Sequence, residues 1–195
     1  MTSTSCAIKY EVRYPGNDHT VVPVEFLEVV DGDTIRVVAL EDSIDGGNSN
    51  QIKKGETNSV RFLFIDTMES VDNLRLERLM IRLRKKHNYI DKSEIIGMGT
   101  AAKSNLINIF KGDKIIKLEL QTGNMKDIYG RWLAVVFYGG TNINYLQIQK
   151  GVAVLYLYGP MKSPMQKYYR EMFYGAENLA KRQKVGIWKN FIREE

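Results

Sequence analysis

Apolar and polar side chains alternate over residues 7–14 and 22–30, the period-two pattern that puts alternate residues on opposite faces of a β-strand. TIRVVAL, 34–40, continues the pattern after an Asp31-Gly32 step. Asp-Gly between two such runs predicts a hairpin, because glycine tolerates a positive φ. Residues 41–58 are polar and rich in Gly and Asn, which predicts an exposed loop. SVRFLFID, 59–66, is largely apolar, as expected of a central strand. Two more strands are predicted over 114–121 and 131–138, the second ending in a Gly139-Gly140 turn. Helical spacing appears over 99–110, where Ala102, Leu106 and Ile109 share a face, over a short segment 143–149, and over 164–184. Ser163 is the predicted N-cap of that last helix and Pro164 its first helical residue.

About five strands joined by short turns, with helices inserted and appended, predict a mainly β, α+β fold built on an oligonucleotide-binding barrel. The 195 residues suit one domain with decorations. We divide them into an N-terminal extension, 1–21, a barrel domain, 22–189, with an insertion at about 70–97, and a tail, 190–195. The formal charge of +5 fits a polyanionic partner without requiring one. Cys6 is the only cysteine, so no intrachain disulfide forms, which matches a reducing compartment. Neither a basic-then-apolar leader nor a membrane-length apolar run is visible. The expectation is a cytoplasmic protein with no membrane association and no obligate protein partner.

Four polar segments stand out in order: Asp31-Gly32-Asp33-Thr34; Arg61 through Glu69, RFLFIDTME; Asp127-Ile128-Tyr129-Gly130-Arg131; and Gly186-Ile187-Trp188. Each alone is weak. Together, with an arginine five residues before Asp66 and a glutamate three after it, they resemble the thermonuclease family, the staphylococcal-nuclease fold, over roughly residues 24–189. Asp33 and Asp66 supply hard oxygens, expected from adjacent strands, and such oxygens suit Ca²⁺ or Mg²⁺. His19, His87 and Cys6 stand isolated, which argues against zinc. The planar forks of Arg61 and Arg131 suit a phosphate clamp, and both are expected to face a solvent-filled cleft.

The resemblance implies one Ca²⁺ ion held by Asp33, Asp66 and the backbone carbonyl of Thr67, with Asp31 ordering the metal's waters. It implies Glu69 as general base or orienter of the attacking water, and Arg61 and Arg131 as stabilisers of the five-coordinate phosphorus. It further implies a sugar-nonspecific endonuclease that cuts DNA and RNA, preferably unpaired strands, at the 5′-oxygen to leave 3′-phosphates. Tyr129 matches a family tyrosine near the bound nucleotide. Tyr156 and Tyr158, in VAVLYLYG, resemble the base-stacking segment, with packing in the core or rim as the alternative.

The sequence departs from the family pattern at Met68, where proline is common, and in a longer segment after Glu69. Within it, 72–87 has helical apolar spacing and six basic residues, among them Arg82 and Lys85, against Asp72 and Glu77. It is either a helix gripping a nucleic-acid backbone or a solvated amphipathic helix packed on the barrel. A different class of function remains as the alternative: a catalytically inactive barrel that binds single-stranded nucleic acid or a protein.

Overall fold

The computed structural model describes residues 13–44, 51–74, 76–77, 91–121, 126–157 and 163–191. The expected strand over 7–14 lies outside these except for residues 13 and 14, which are not in a strand. Of the helix expected over 72–87, residues 72–74 and 76–77 are described, with 74, 76 and 77 helical, and the rest lies outside the described residues.

Five strands form the barrel: β1 (His19–Asp31), β2 (Thr34–Ala39), β5 (Thr57–Phe62), β7 (Ile115–Gln121) and β8 (Trp132–Tyr138). They are hydrogen-bonded in the order β5-β2-β1-β7-β8, and a parallel β5–β8 pairing closes the ring through Val60↔Trp132, Arg61↔Leu133 and Phe62↔Ala134. Alternation decides which side chains enter the core: Val22 and Val24 of β1, Ile35 and Val37 of β2, Ile116, Leu118 and Leu120 of β7. β8 is buried along almost its whole length, because α2 (Ile143–Gln149) packs on it.

Gly32 and Asp33 make the two-residue turn between β1 and β2, yet neither has a positive φ. Glycine is needed there for space. A Cβ on Gly32 would lie 2.7 Å from Ala102 Cβ and 2.8 Å from Thr67 Oγ1. The segment 41–58 is not wholly an exposed loop: β3 (Ser43–Ile44) pairs with β4 (Gln51–Ile52), and Ile52 is buried.

The apolar run 59–66 is not one strand. It breaks after Phe62, turns at Leu63-Phe64, and resumes as β6 (Ile65–Asp66), which leaves the barrel and pairs with β10 (Val154–Leu155). Phe64 takes φ 64°, a region that costs a non-glycine residue about 1–2 kcal/mol. Burial of its ring against Tyr169 and Phe173, at centroid distances of 6.1 and 6.4 Å, offsets that cost. Among the described residues of the aromatic run VAVLYLYG, 152–157, only Val154–Leu155 is strand.

The helix expected over 99–110 is α1 (Lys92–Ile109), beginning seven residues earlier after Asp91. β9 (Thr141–Asn142) leads into α2, whose first turn is capped by the Asn142 side chain accepting from Tyr145 N. α3 (Pro164–Arg182) starts as expected, with Ser163 and Gln166 forming a reciprocal capping box, and the short α4 (Trp188–Phe191) follows. Met165, Tyr169, Phe173, Ala176 and Ala180 make the buried face of α3.

One carboxylate lies inside this packing. Glu119 on β7 is buried; Tyr169 Oη donates to its Oε2 at 3.1 Å and itself accepts from Tyr14 N at 3.1 Å. Burial pushes the Glu119 carboxyl up to about 7, against the opposing pull of the Tyr169 hydrogen bond and the Arg13 charge.

Candidate functional site

The turn between β1 and β2, the end of β5 and the strap 66–70 meet at one rim of the barrel. Arg61 is the pin. It is 2% exposed and forms ion pairs through Nη1 with Asp33 Oδ2 and through Nη2 with Asp66 Oδ1, the latter at 2.5 Å. Asp33 Oδ2 also accepts from Thr67 N and Thr67 Oγ1, both at 3.0 Å, and Asp33 Oδ1 accepts from Thr34 Oγ1 at 3.0 Å. The strap is thereby tied to the acidic turn. Asp31 continues the tie, its Oδ1 accepting from Ser70 Oγ at 2.9 Å and from Gly32 N at 2.8 Å.

Glu69 is buried on the strap, and Asn73 Nδ2 donates to its Oε2 at 2.9 Å. No proline stiffens the strap at position 68; α1 supports it instead. Gly99 approaches so closely that a Cβ there would lie 2.4 Å from the Glu69 carbonyl oxygen and 2.5 Å from that of Met68.

Arg131 lies just before β8. Register pairs Arg61 with Leu133, and alternation carried back two positions puts Arg131 on the same face of the barrel wall. Asp127 orders it: Oδ2 accepts from Arg131 Nε at 2.7 Å and pairs with Nη2 at 2.7 Å, while Oδ1 accepts from the main-chain N–H groups of Tyr129 and Arg131. Gly130, at φ 77°, completes this tight loop. Ile128 and Tyr129 stand out from it, 91% and 77% exposed, with the Arg131 guanidinium 5.5 Å from the Tyr129 ring centroid.

A family model described as staphylococcal nuclease homologue matches residues 59–190. The chain belongs to this family. It is similar to Endonuclease YncB of Bacillus subtilis, 30% identical over 152 residues, which is 77% of this chain and 61% of that protein. It is also similar to SPbeta prophage-derived endonuclease YokF of the same organism, 29% identical over 152 residues, 77% of this chain and 43% of that protein. The chain thus spans less than two thirds of the length of either relative. Among the described residues, no helix is long and apolar enough to cross a membrane.

Of the residues expected from the staphylococcal-nuclease resemblance, Asp31, Asp33, Arg61, Asp66 and Thr67 are gathered at one rim by these bonds, Glu69 follows on the strap with its carboxylate on Asn73, and Arg131 lies just before β8, the strand paired with β5. Two expectations change. Asp33 and Asp66 are not joined by strand pairing, since β6 pairs with β10; Arg61 joins them. Arg61 does not face a solvent-filled cleft, being buried between two carboxylates, whereas Arg131 is 30% exposed. Tyr156 is exposed beside β10, its N–H donating to Phe64 O at 2.9 Å. Tyr158, Arg82 and Lys85 lie outside the described residues.

Do these residues suit a divalent cation? Among the described residues, no group of three or more His, Cys, Asp or Glu side chains is arranged to hold one. The side-chain oxygens brought together are those of Asp33 and Asp66, hard donors of the kind Ca²⁺ and Mg²⁺ accept. The charges agree: two aspartates share one guanidinium, and Asp31 and Glu69 add further negative charge around them. Each carboxylate has about four lone-pair sites; those of Asp33 are met by Arg61, Thr67 N, Thr67 Oγ1 and Thr34 Oγ1, so a cation there would take the place of one of these donors. The chemistry of the set fits.

Sequence reasoning missed Asn144 and Gln147 of α2. Both are fully buried amides. Asn144 donates to Leu63 O at 2.9 Å and accepts from Val136 N at 2.9 Å, fastening α2 to the barrel. Gln147 Nε2 donates to Gly32 O at 2.8 Å. Their signal was present: in INYLQIQ the amides at 144 and 147 share the face of Ile143 and Ile148.

Proposed function

We propose that this chain is a Ca²⁺-dependent phosphodiesterase that cleaves DNA and RNA within the strand, with a preference for unpaired regions, and leaves 3′-phosphates. The observation that carries the reading is the Asp33–Arg61–Asp66 arrangement, with Glu69 buried on the strap beside it. Asp33, Asp66 and the Thr67 carbonyl would hold the cation, which when bound polarises the phosphate and offsets the charge of the carboxylates.

In this reading the partly exposed Arg131 binds the scissile phosphate and stabilises the added negative charge of the five-coordinate phosphorus, and Arg61, held between Asp33 and Asp66, joins it where a cation takes over those carboxylates. Glu69 takes a proton from the attacking water, with Asn73 holding the orientation of its carboxylate. A bond forms between the water oxygen and phosphorus, the bond to the 5′-oxygen breaks, and that oxygen takes a proton from solvent. Tyr129 and Tyr156, both exposed, offer faces on which unstacked bases rest, a recognition that reads no sequence. The lone Cys6 makes a reducing compartment the proposed setting.

The test is incubation of plasmid, single-stranded DNA and RNA with the protein in Ca²⁺ or in chelator, followed by end-group analysis. Cleavage in Ca²⁺ alone is expected, with products whose 5′ ends accept label directly and whose 3′ ends accept it only after removal of a phosphate. Intact polymers in Ca²⁺, retarded in a gel by the protein, would instead favour a binding module.

A further inference from the structure

Gln147 is a costly residue to bury unless its amide is fully used, and here it is used. Nε2 donates to two main-chain carbonyls from different elements, Gly32 O at 2.8 Å and Ala102 O at 3.3 Å. Its Oε1 accepts from Asn105 Nδ2, and Asn105 Oδ1 accepts from Lys150 Nζ at 2.8 Å. One side chain therefore ties the acidic turn to α1 and α2.

The Gly32 carbonyl is more than a convenient acceptor. It belongs to the peptide unit whose nitrogen is that of Asp33. Because the unit is planar and rigid, fixing its oxygen fixes the direction from which the Asp33 backbone departs. Gly32 is held further by its near contact with Ala102 and Thr67. A turn held in this way presents the Asp33 carboxylate in one orientation.

We propose that Gln147 is a positioning residue for cation binding: through the Gly32 carbonyl it orients the peptide that carries Asp33. The inference rests on the reading of the Asp33–Asp66 pair as a cation site. Loss of a group that orients a metal ligand typically lowers metal affinity about 10–100-fold.

The experiment is calorimetric titration of the whole chain with Ca²⁺, alongside thermal unfolding in chelator and cleavage kinetics against Ca²⁺ concentration. Gln147→Met keeps the length and burial of the side chain and removes its donors. We expect the Ca²⁺ dissociation constant to rise by at least about tenfold. The Ca²⁺ needed for half-maximal cleavage should rise in step, with kcat at saturating Ca²⁺ nearly unchanged. Asn142→Ala, which removes the N-cap of the same helix without touching Gly32, is the control for simple loosening of α2. It should lower the unfolding temperature while Ca²⁺ affinity stays within about twofold, as for sites that do not couple. If Gln147→Met fails to fold, Gln147→Asn draws the amide back by one methylene and takes its place.

Wild-type affinity in the Gln147 variant overturns the proposal. So does a loss of affinity in Asn142→Ala as large as that in the Gln147 variant. Absence of Ca²⁺ binding by the wild-type chain overturns the cation reading itself, and the proposal with it.

Discussion

Arg61→Ala is the substitution whose outcome the geometry defines most sharply. It removes the one guanidinium shared by Asp33 and Asp66. Asp66 is partly exposed and can be hydrated, but Asp33 is buried and would be stranded. Removing one partner of a buried ion pair costs about 3–5 kcal/mol. Asp33 keeps hydrogen bonds from Thr67 N, Thr67 Oγ1 and Thr34 Oγ1, so the lower end, about 3 kcal/mol, applies. With a urea dependence of about 2 kcal/mol per M, the unfolding midpoint should fall by roughly 1.5 M. Equilibrium unfolding in urea with chelator present is the assay, so that no cation compensates the stranded charge. Arg61→Ala combined with Asp33→Asn removes that charge too and should recover at least about half of the loss. At a temperature where the single variant remains folded, cleavage should still be down by about a hundredfold or more, the scale of a lost transition-state donor. A wild-type urea midpoint for Arg61→Ala would refute the argument. So would a double variant less stable than the single one, because the stranded charge would then not be the cause.

Two further outcomes follow from other parts of the molecule. Glu119 has a folded-state pKa raised from 4.5 to about 7, so the folded chain holds a proton that the unfolded chain releases between those values, and stability falls as pH rises through that window. The full effect is about 3 kcal/mol. His19, lowered by burial, works in the opposite sense by losing stability as pH falls below 6.5, and Asp18, Arg13, Tyr168 and Tyr169 surround the same region. The difference between wild type and Glu119→Gln in denaturant midpoint from pH 4.5 to 8 isolates the carboxyl; a difference that does not change with pH would reject its buried titration. Asp127→Ala should lower cleavage about 10-fold or more by releasing the Arg131 fork, with little change in urea midpoint because both side chains are partly exposed; unchanged kinetics would mean that Arg131 needs no such orientation.

The elements legible in the sequence were those set by local pattern. Alternation marked β1 and β2, the runs at 114–121 and 131–138 marked β7 and β8, and Ser163-Pro164 marked the start of α3. The start of α1 was hidden because Gly97 and Gly99 depress helix propensity, whereas Gly99 is there to let the strap pass. The break at Phe64 was hidden because a bulky residue at positive φ has no local signature; the aromatic packing that sustains it comes from α3, about a hundred residues later. Gly32 was marked correctly but for the wrong reason, close approach rather than turn conformation. The acidic and basic residues of the site could be named from their spacing. That Arg61 is sealed between two aspartates, and that Gln147 reaches the turn, depends on contacts between segments that no periodicity relates.

Those long reaches set an order of events during synthesis. Gly32 meets Gln147 across 115 positions, and β6, which ends in Asp66, finds its strand partner only when Val154 and Leu155 have been made. Until then a growing chain holds its acids and arginines in an unassembled form, and proteolytic fragments that stop short of β10 inherit the same deficiency. For a catalyst proposed to attack polymers of the kind that encode it, late assembly would confine cleavage to finished copies.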